Sequence, residues 1–457
     1  MSQLMTWTLL IILTLAPFIT LDSCFNYADL PQRAFVAFGV SALGVFMAFR
    51  GKYKMPRFGL PILACMGWAC LSVLWAHNTT EAVWSLVYWG VITWLYFMTT
   101  TILAGNPKAV RTVLWALFAA GWGISVIGIL QYLEFCLPIQ QSVAPAATFA
   151  NRNMAVQFIA MVWPVGFALW RQAGKAMYPV ITHMCATMLA YIVVADNRTG
   201  WLVVCCQGVA LAIMLSLKNS QEKSQASTSK TSRLKRIFSP KYALATLQKS
   251  PKTELKQSTR KNSSFHRRIA LAYGLALFLF LISLGPDGIR FSSLTNMTHR
   301  VGTAVSEAAG QHDGKRDTSV ALRKAIYLNS LEMFKDRPWF GFGIGNHKVF
   351  YPAYSQAAVK DRVFSEKIQL HNAHNDYLQW AVETGIVGVL LLCWLVFSVG
   401  RVAVAGAFQG GWQKISVLLG LVALAIAAMF SFPMQRSIPP MVGAVYLGIL
   451  GCKNEVS

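Results

Sequence analysis

The chain has 457 residues, of which 55% are hydrophobic and 13% charged, and its mean hydropathy of +0.46 excludes an ordinary soluble globular protein of this length. The formal net charge is +23, and about half of it sits in one polar segment, 218–268, where fourteen Lys or Arg face only Glu222 and Glu254 for a net +12. No aromatic residues are interleaved there in a stacking pattern, so the basicity points to a flexible cytoplasmic linker and topology determinant, leaning on anionic headgroups, and away from nucleic acid.

Apolar runs near the roughly 20 residues that cross about 30 Å of hydrocarbon fall at 5–21, 33–49, 58–76, 83–103, 110–133, 154–170, 177–195, 199–217, 269–285, 384–400, 415–430 and 438–450. They predict an all-α polytopic membrane protein with about twelve transmembrane helices. Eight spans fill 1–217, the basic loop occupies 218–268, and the ninth span covers 269–285. A long outer loop follows at 286–379, and the last three spans fill 380–457. Basic residues in the even-numbered loops (Arg50, Lys52, Lys54 and Arg57, then Lys108 and Arg111, then Arg171 and Lys175) place those loops, and hence both termini, in the cytoplasm. The first span has no basic segment before it and no small-residue cleavage site after it, which predicts a retained helix.

Seven of the nine cysteines fall in or beside spans as small apolar filler. Cys24 and Cys136 sit in predicted outer loops, where an oxidising compartment would allow a disulfide between them. Neither CxxC nor HExxH spacing occurs, so the motifs imply no metal, and none implies a cofactor.

Within 286–379, Asp317-Thr318-Ser319 suits a helix start and Asp336-Arg337-Pro338 a helix end. Val320, Tyr327, Leu331 and Phe334 recur between them at helical spacing, with Arg323 in the same stripe. A guanidinium on an apolar face needs a partner, so Arg323 is either a snorkelling or paired arginine or a ligand-binding one. The glycines of Gly341-Phe-Gly343-Ile-Gly345 do not match a dinucleotide fingerprint. They predict a tight turn whose backbone approaches the membrane or a bulky substrate.

Arg198, in the short outer loop Asp196-Asn197-Arg198, and Arg152, in Asn151-Arg152-Asn153 at the outer start of the sixth span, run against the insertion bias. Both are candidates for function; alternatively Asp196 pairs with Arg198 and Arg152 anchors a helix end. The densest signal is His371-Asn372-Ala373-His374-Asn375-Asp376-Tyr377-Leu378-Gln379, followed by Glu383-Thr384-Gly385 and Gly388. It places two imidazoles beside amides and a carboxylate at the mouth of the tenth span. A neutral imidazole there is suited to general-base work, with Asn375 or Asp376 placed to orient it; the structural alternative is a loop capping that span. A secondary transporter is the competing class, but internal repeats and polar residues on broken helices at mid-membrane are not evident.

His374-Asn375, nine residues, then Gly385-Ile-Val-Gly388 resembles the H-[NSQ]-x9-G-x-x-[GTY] signature of bacterial O-antigen ligases, in the superfamily shared with O-antigen polymerases and protein O-oligosaccharyltransferases. The order of an Asn-rich span start, an Arg at a short outer loop, an Arg-bearing loop helix and a Pro-x-x-Gly-x-Gly turn over 150–388 is similar as well. The resemblance implies a fold like that of GT-C-type glycosyltransferases in the bacterial inner membrane, with a periplasmic active site. It implies metal-independent, cofactor-free transfer of a glycan from a polyprenyl pyrophosphate carrier to an acceptor hydroxyl, most simply ligation to lipid A core. A polymerase extending a growing glycan, or a transferase acting on protein, is the alternative. By the same resemblance His374 is the essential histidine, and Arg198 and Arg323 hold the pyrophosphate. Arg152 is grouped with them, and His371, Asn375 and Asp376 are supporting residues. One base without an evident carboxylate nucleophile suggests inversion by single displacement.

Overall fold

The computed structural model describes residues 2–48, 55–135, 137–216, 268, 271–275, 277–279, 318–355, 370–409 and 411–452. The basic segment, most of the ninth span, much of the long outer loop, the 50–54 loop and Cys136 therefore lie outside the described residues. The described chain is all helix and connection, without strands. The helices are α1 (Ser2–Leu15), α2 (Asp29–Ala48), α3 (Gly59–Leu71), α4 (Thr79–Leu103), α5 (Pro107–Tyr132), α6 (Arg152–Val162), α7 (Val165–Gln172), α8 (Met177–Val194) and α9 (Arg198–Ser216). After the basic segment come α10 (Thr318–Asp336), α11 (His347–Ser355), α12 (Asp376–Gln409), α13 (Trp412–Phe430) and α14 (Ile438–Gly451).

Among the described residues, eight helical stretches are long and apolar enough to span a bilayer, and three shorter apolar ones, Gln3–Phe18, Gly59–Trp75 and Ile438–Gly451, coincide with the predicted first, third and twelfth spans. The protein is thus an all-α, multi-pass membrane protein. Its helices turn large apolar side chains outward, among them Trp7, Phe38, Leu60, Trp84, Leu390 and Phe397, which suits a hydrocarbon surround. The largest apolar cluster runs through α1–α9, α12, α13 and α14, with α14 packed on α4 and α5 on α8, and two smaller clusters lie where α10, α11 and the start of α12 meet and where the glycine loop meets α3 and α4.

Two breaks in the spans decide where the polar groups fall. The predicted sixth span is divided into α6 and α7 at Trp163-Pro164. Pro164 has no N–H to offer the carbonyl of Ala160, and Gln207 of α9 supplies it instead: its Nε2 donates to Ala160 O at 2.8 Å and to Leu419 O at 2.9 Å, while Trp163 Nε1 donates to Gln207 Oε1 at 2.8 Å. Met161 O is met by the Tyr446 hydroxyl. Every exposed acceptor in a low-dielectric interior needs such a donor.

The second break lies in α12 at Gly385, where φ is 67° and ψ is −170°, a region open essentially to glycine alone. The carbonyls freed before it are taken by other elements. Phe342 N donates to Val382 O at 3.0 Å, Gly343 N to Glu383 O at 2.9 Å, and Trp68 Nε1 to Thr384 O at 2.8 Å. Past the break, Ile386 N donates to Pro338 O at 2.7 Å. The glycine-rich loop after α10 is therefore docked backbone to backbone on the α12 break. Gly341, Gly343 and Gly345 all have positive φ, and a Cβ on Gly341 would meet the Glu383 carbonyl at 2.6 Å. The close approach of that loop, expected towards the membrane or a bulky substrate, is to α12, α4 and the turn after α3, where it closes the hydrogen bonds of a broken helix.

Candidate active site

His374 lies two residues before the start of α12, and its backbone is held in the left-handed region at φ 55°. Three contacts fix it. Asn375 Oδ1 caps α12, accepting from Tyr377 N and Leu378 N at 3.0 Å each. The Tyr327 hydroxyl, from α10, donates to His374 O at 2.9 Å. Ala373 N donates to Gln379 Oε1 at 3.1 Å, and Gln379 Nε2 donates to Glu383 Oε1 at 3.1 Å. Glu383 Oε2 in turn accepts from Gly345 N at 3.0 Å, and Glu383 also accepts the backbone N–H of His347. The buried pair Gln379 and Glu383 thus joins the peptide before His374 to the glycine loop and α11.

The half-buried His374 ring stands edge-on to Phe432, 4.9 Å between centroids. Burial first, then the positive charges of Arg323 and Arg436, push its pKa from 6.5 down to about 4. The imidazole is accordingly neutral across physiological pH, free to accept a proton. His371, by contrast, is exposed.

Of the residues singled out in the sequence, His374 and Arg323 are linked through α10: Tyr327, one turn after Arg323, holds His374 O, and the Arg323 charge is among the causes that lower the His374 pKa. The buried face of α10 is offset from the expected stripe, comprising Ala325, Ile326, Asn329, Ser330 and Met333, with Leu331 exposed. Asn329 and Ser330 are buried with one partner each on α11: Asn329 Nδ2 donates to the Tyr351 hydroxyl at 3.2 Å, and Ser330 Oγ pairs with His347 Nε2 at 2.9 Å. Arg323 and Tyr327 are half-buried at the edge of the docked face, and the Tyr327 hydroxyl reaches His374 O. Of the two residues expected to orient the imidazole, Asn375 places its Oδ1 in the helix cap, and Asp376 Oδ2 accepts from Met434 N at 2.8 Å. Asp376 Oδ1 is buried without a hydrogen-bond partner among the described residues.

Arg152 and Arg198 start α6 and α9, which are tied by a hydrogen bond from Asn197 Nδ2 to Asn153 Oδ1. Neither Asp196 nor Arg198 is without a partner. Gln157 Nε2 of α6 donates to Ser431 Oγ at 2.9 Å, so this pair abuts the connection between α13 and α14 that also carries Phe432. That connection, 431–437, was not anticipated as part of the site. It is pinned by Tyr88, whose hydroxyl donates to Met434 O at 3.1 Å and Arg436 O at 2.6 Å, by Arg33 donating to Gln435 O, and by Asp29, which accepts from Ser437 N and Oγ at 3.0 Å each. The starts of α2, α6, α12 and α14 therefore meet at one end of the bundle. Arg436 was detectable by the rule that singled out Arg198: it is a basic residue in a very short connection predicted to lie outside.

Residues 183–393 match the family model described as O-Antigen ligase. The match runs from α8 through α10 and α11 to the middle of α12, and includes Arg198, Arg323, His374 and both signature glycines. No curated protein matches the chain.

Proposed function

On the match of residues 183–393 to the O-antigen ligase family model, we propose that this protein is a membrane glycosyltransferase of the O-antigen ligase or polymerase type that moves a glycan from a polyprenyl pyrophosphate carrier to an acceptor hydroxyl, with lipid A core as acceptor, on the periplasmic face of the inner membrane. The observation that supports the reading is His374, half-buried against Phe432 with its carbonyl held by Tyr327 of α10, the helix that also carries Arg323. In the proposed step His374 takes the proton of the acceptor hydroxyl as its oxygen bonds to the anomeric carbon. The bond from that carbon to the phosphate oxygen breaks, and the pyrophosphate leaves with the electron pair. Negative charge grows on phosphate oxygens, for which arginines offer planar paired donors; Arg323 and Arg198 receive it, with Arg152 behind them.

A single displacement with inversion fits the commitments of the nearby carboxylates. Glu383 is buried with both oxygens engaged, and Asp376 is buried with one oxygen on Met434 N, so neither is presented as a nucleophile. The test is transfer by purified protein in nanodiscs from a synthetic polyprenyl pyrophosphate oligosaccharide to lipid A core, with His374→Ala alongside. Wild-type transfer and loss in the variant are expected; undiminished turnover by His374→Ala would refute the assignment. Lipopolysaccharide gels of a deletion strain distinguish the acceptors: loss of all attached O-chain marks a ligase, a single capped repeat a polymerase, and altered glycoproteins alone a protein transferase.

A further inference from the structure

Arg436 lies between α13 and α14, beyond the matched stretch 183–393, and its charge is incompletely neutralised. The Asp29 Oδ2 atom is 3.9 Å from Arg436 NH1, but it already accepts from Arg33 Nε at 2.7 Å, and Asp29 Oδ1 is taken by Ser437. Two guanidiniums thus share one carboxylate. The Nε of Arg436 is buried with no hydrogen-bond partner among the described residues. An arginine keeps its charge at any biological pH, and burying it half-paired is costly unless an anion completes the pairing.

The position of the group says where that anion would sit. The guanidinium lies over the Phe432 ring, 4.9 Å from its centroid, and His374 stands edge-on to the same ring at 4.9 Å. Phe432 therefore holds an imidazole and a guanidinium on one patch. Arg436 also borders a cavity of about 10 Å³, lined by Asn26, Asp29, Gln32 and Met154 among others, which places it next to the start of α6 and its Arg152.

We propose that Arg436 is a further substrate-binding residue of the His374 site, receiving an anionic oxygen of the donor's phosphate leaving group. This rests on the glycosyl-transfer reading for the identity of the donor, while the anion site itself follows from the half-paired guanidinium and its place on the Phe432 ring beside His374. The full-length protein is placed in phosphatidylcholine nanodiscs and titrated with undecaprenyl pyrophosphate, with undecaprenol as the uncharged control and inorganic pyrophosphate as the lipid-free one.

Wild-type protein is expected to prefer undecaprenyl pyrophosphate over undecaprenol, and Arg436→Gln to lose about tenfold or more of that preference, the scale of one charge-assisted hydrogen bond. Arg436→Lys should fall between. In unmutated protein, undecaprenyl pyrophosphate should protect Arg436 from phenylglyoxal and undecaprenol should not, a readout that does not depend on how the variants fold. Protection by inorganic pyrophosphate at similar concentration would assign the site to the phosphate groups alone, which also supports the proposal. An unprotected Arg436, or an undiminished preference in Arg436→Gln, overturns it. Protection without any glycan transfer would instead sink the functional reading and leave the anion site standing.

Discussion

At the level of single residues, the proposed chemistry turns on keeping one histidine neutral. An unperturbed imidazole is half protonated near pH 6.5, whereas burial and the flanking charges of Arg323 and Arg436 lower His374 to about 4. A base must be unprotonated to work, so activity should be lost as pH falls through about 4 and stay nearly level above pH 5. A kcat/KM profile from pH 4 to 8 checks this, and an acid limb at 6.5 would contradict it. Arg323→Gln removes one of the depressing charges and should raise the limb. Arg323→Lys keeps the charge but not the planar fork, and transfer should drop by about 10- to 100-fold, in line with losing one charge-assisted hydrogen bond to phosphate; single-turnover rates with supplied donor measure it.

At the level of elements, the site is held by helix breaks whose loose hydrogen bonds are closed from elsewhere. Gly385 is the clearest case. Alanine there would adopt a backbone region costing about 1–3 kcal/mol and would strike the Trp339 carbonyl. Gly385→Ala should therefore lower the melting temperature in detergent and loosen the glycine loop that α12 carries. Gln379→Leu tests the positioning chain more gently: it removes the link from Glu383 to Ala373 N while Asn375 still caps α12. Its expected signature is a lower kcat with little change in KM for the donor, and an unchanged kcat would show that the link does not govern His374. The docking of α10 on α11 has its own pH dependence. His347, buried against Ser330, is pushed from 6.5 to about 4 by burial. Below pH 6.5 the unfolded chain takes a proton that the folded one refuses, so this contact loses stability as pH falls from about 6.5 to 4.

Over the whole molecule, the starts of α2, α6, α12 and α14 and the connection 431–437 form one end of the bundle, and the expected topology puts that end outside the cell membrane with both termini inside. In a cysteine-free background, cysteines placed at Asn375 and Gln435 should react with an impermeant maleimide from the periplasmic side, and a green fluorescent protein fused after Ser457 should fluoresce. Labelling from opposite sides would break the common site apart.

The sequence alone was enough for the membrane class, the approximate spans, the helix carrying Arg323 and the His374 signature, because hydropathy, proline and cap positions, and motif spacing are local properties. It also marked Gly385 and Gly388, though not what they do. Tertiary structure decided the rest. The α10 face is set by partners on α11 that make Asn329 and Ser330 buriable, which an apolar-stripe argument overlooks. Asn375 and Asp376 are committed to a cap and to Met434, and Arg436 reaches His374 through Phe432 from a part of the chain about 60 residues away. Charge proximity and hydrogen-bond satisfaction across helices depend on which ends meet in space, and no window along the chain contains that information.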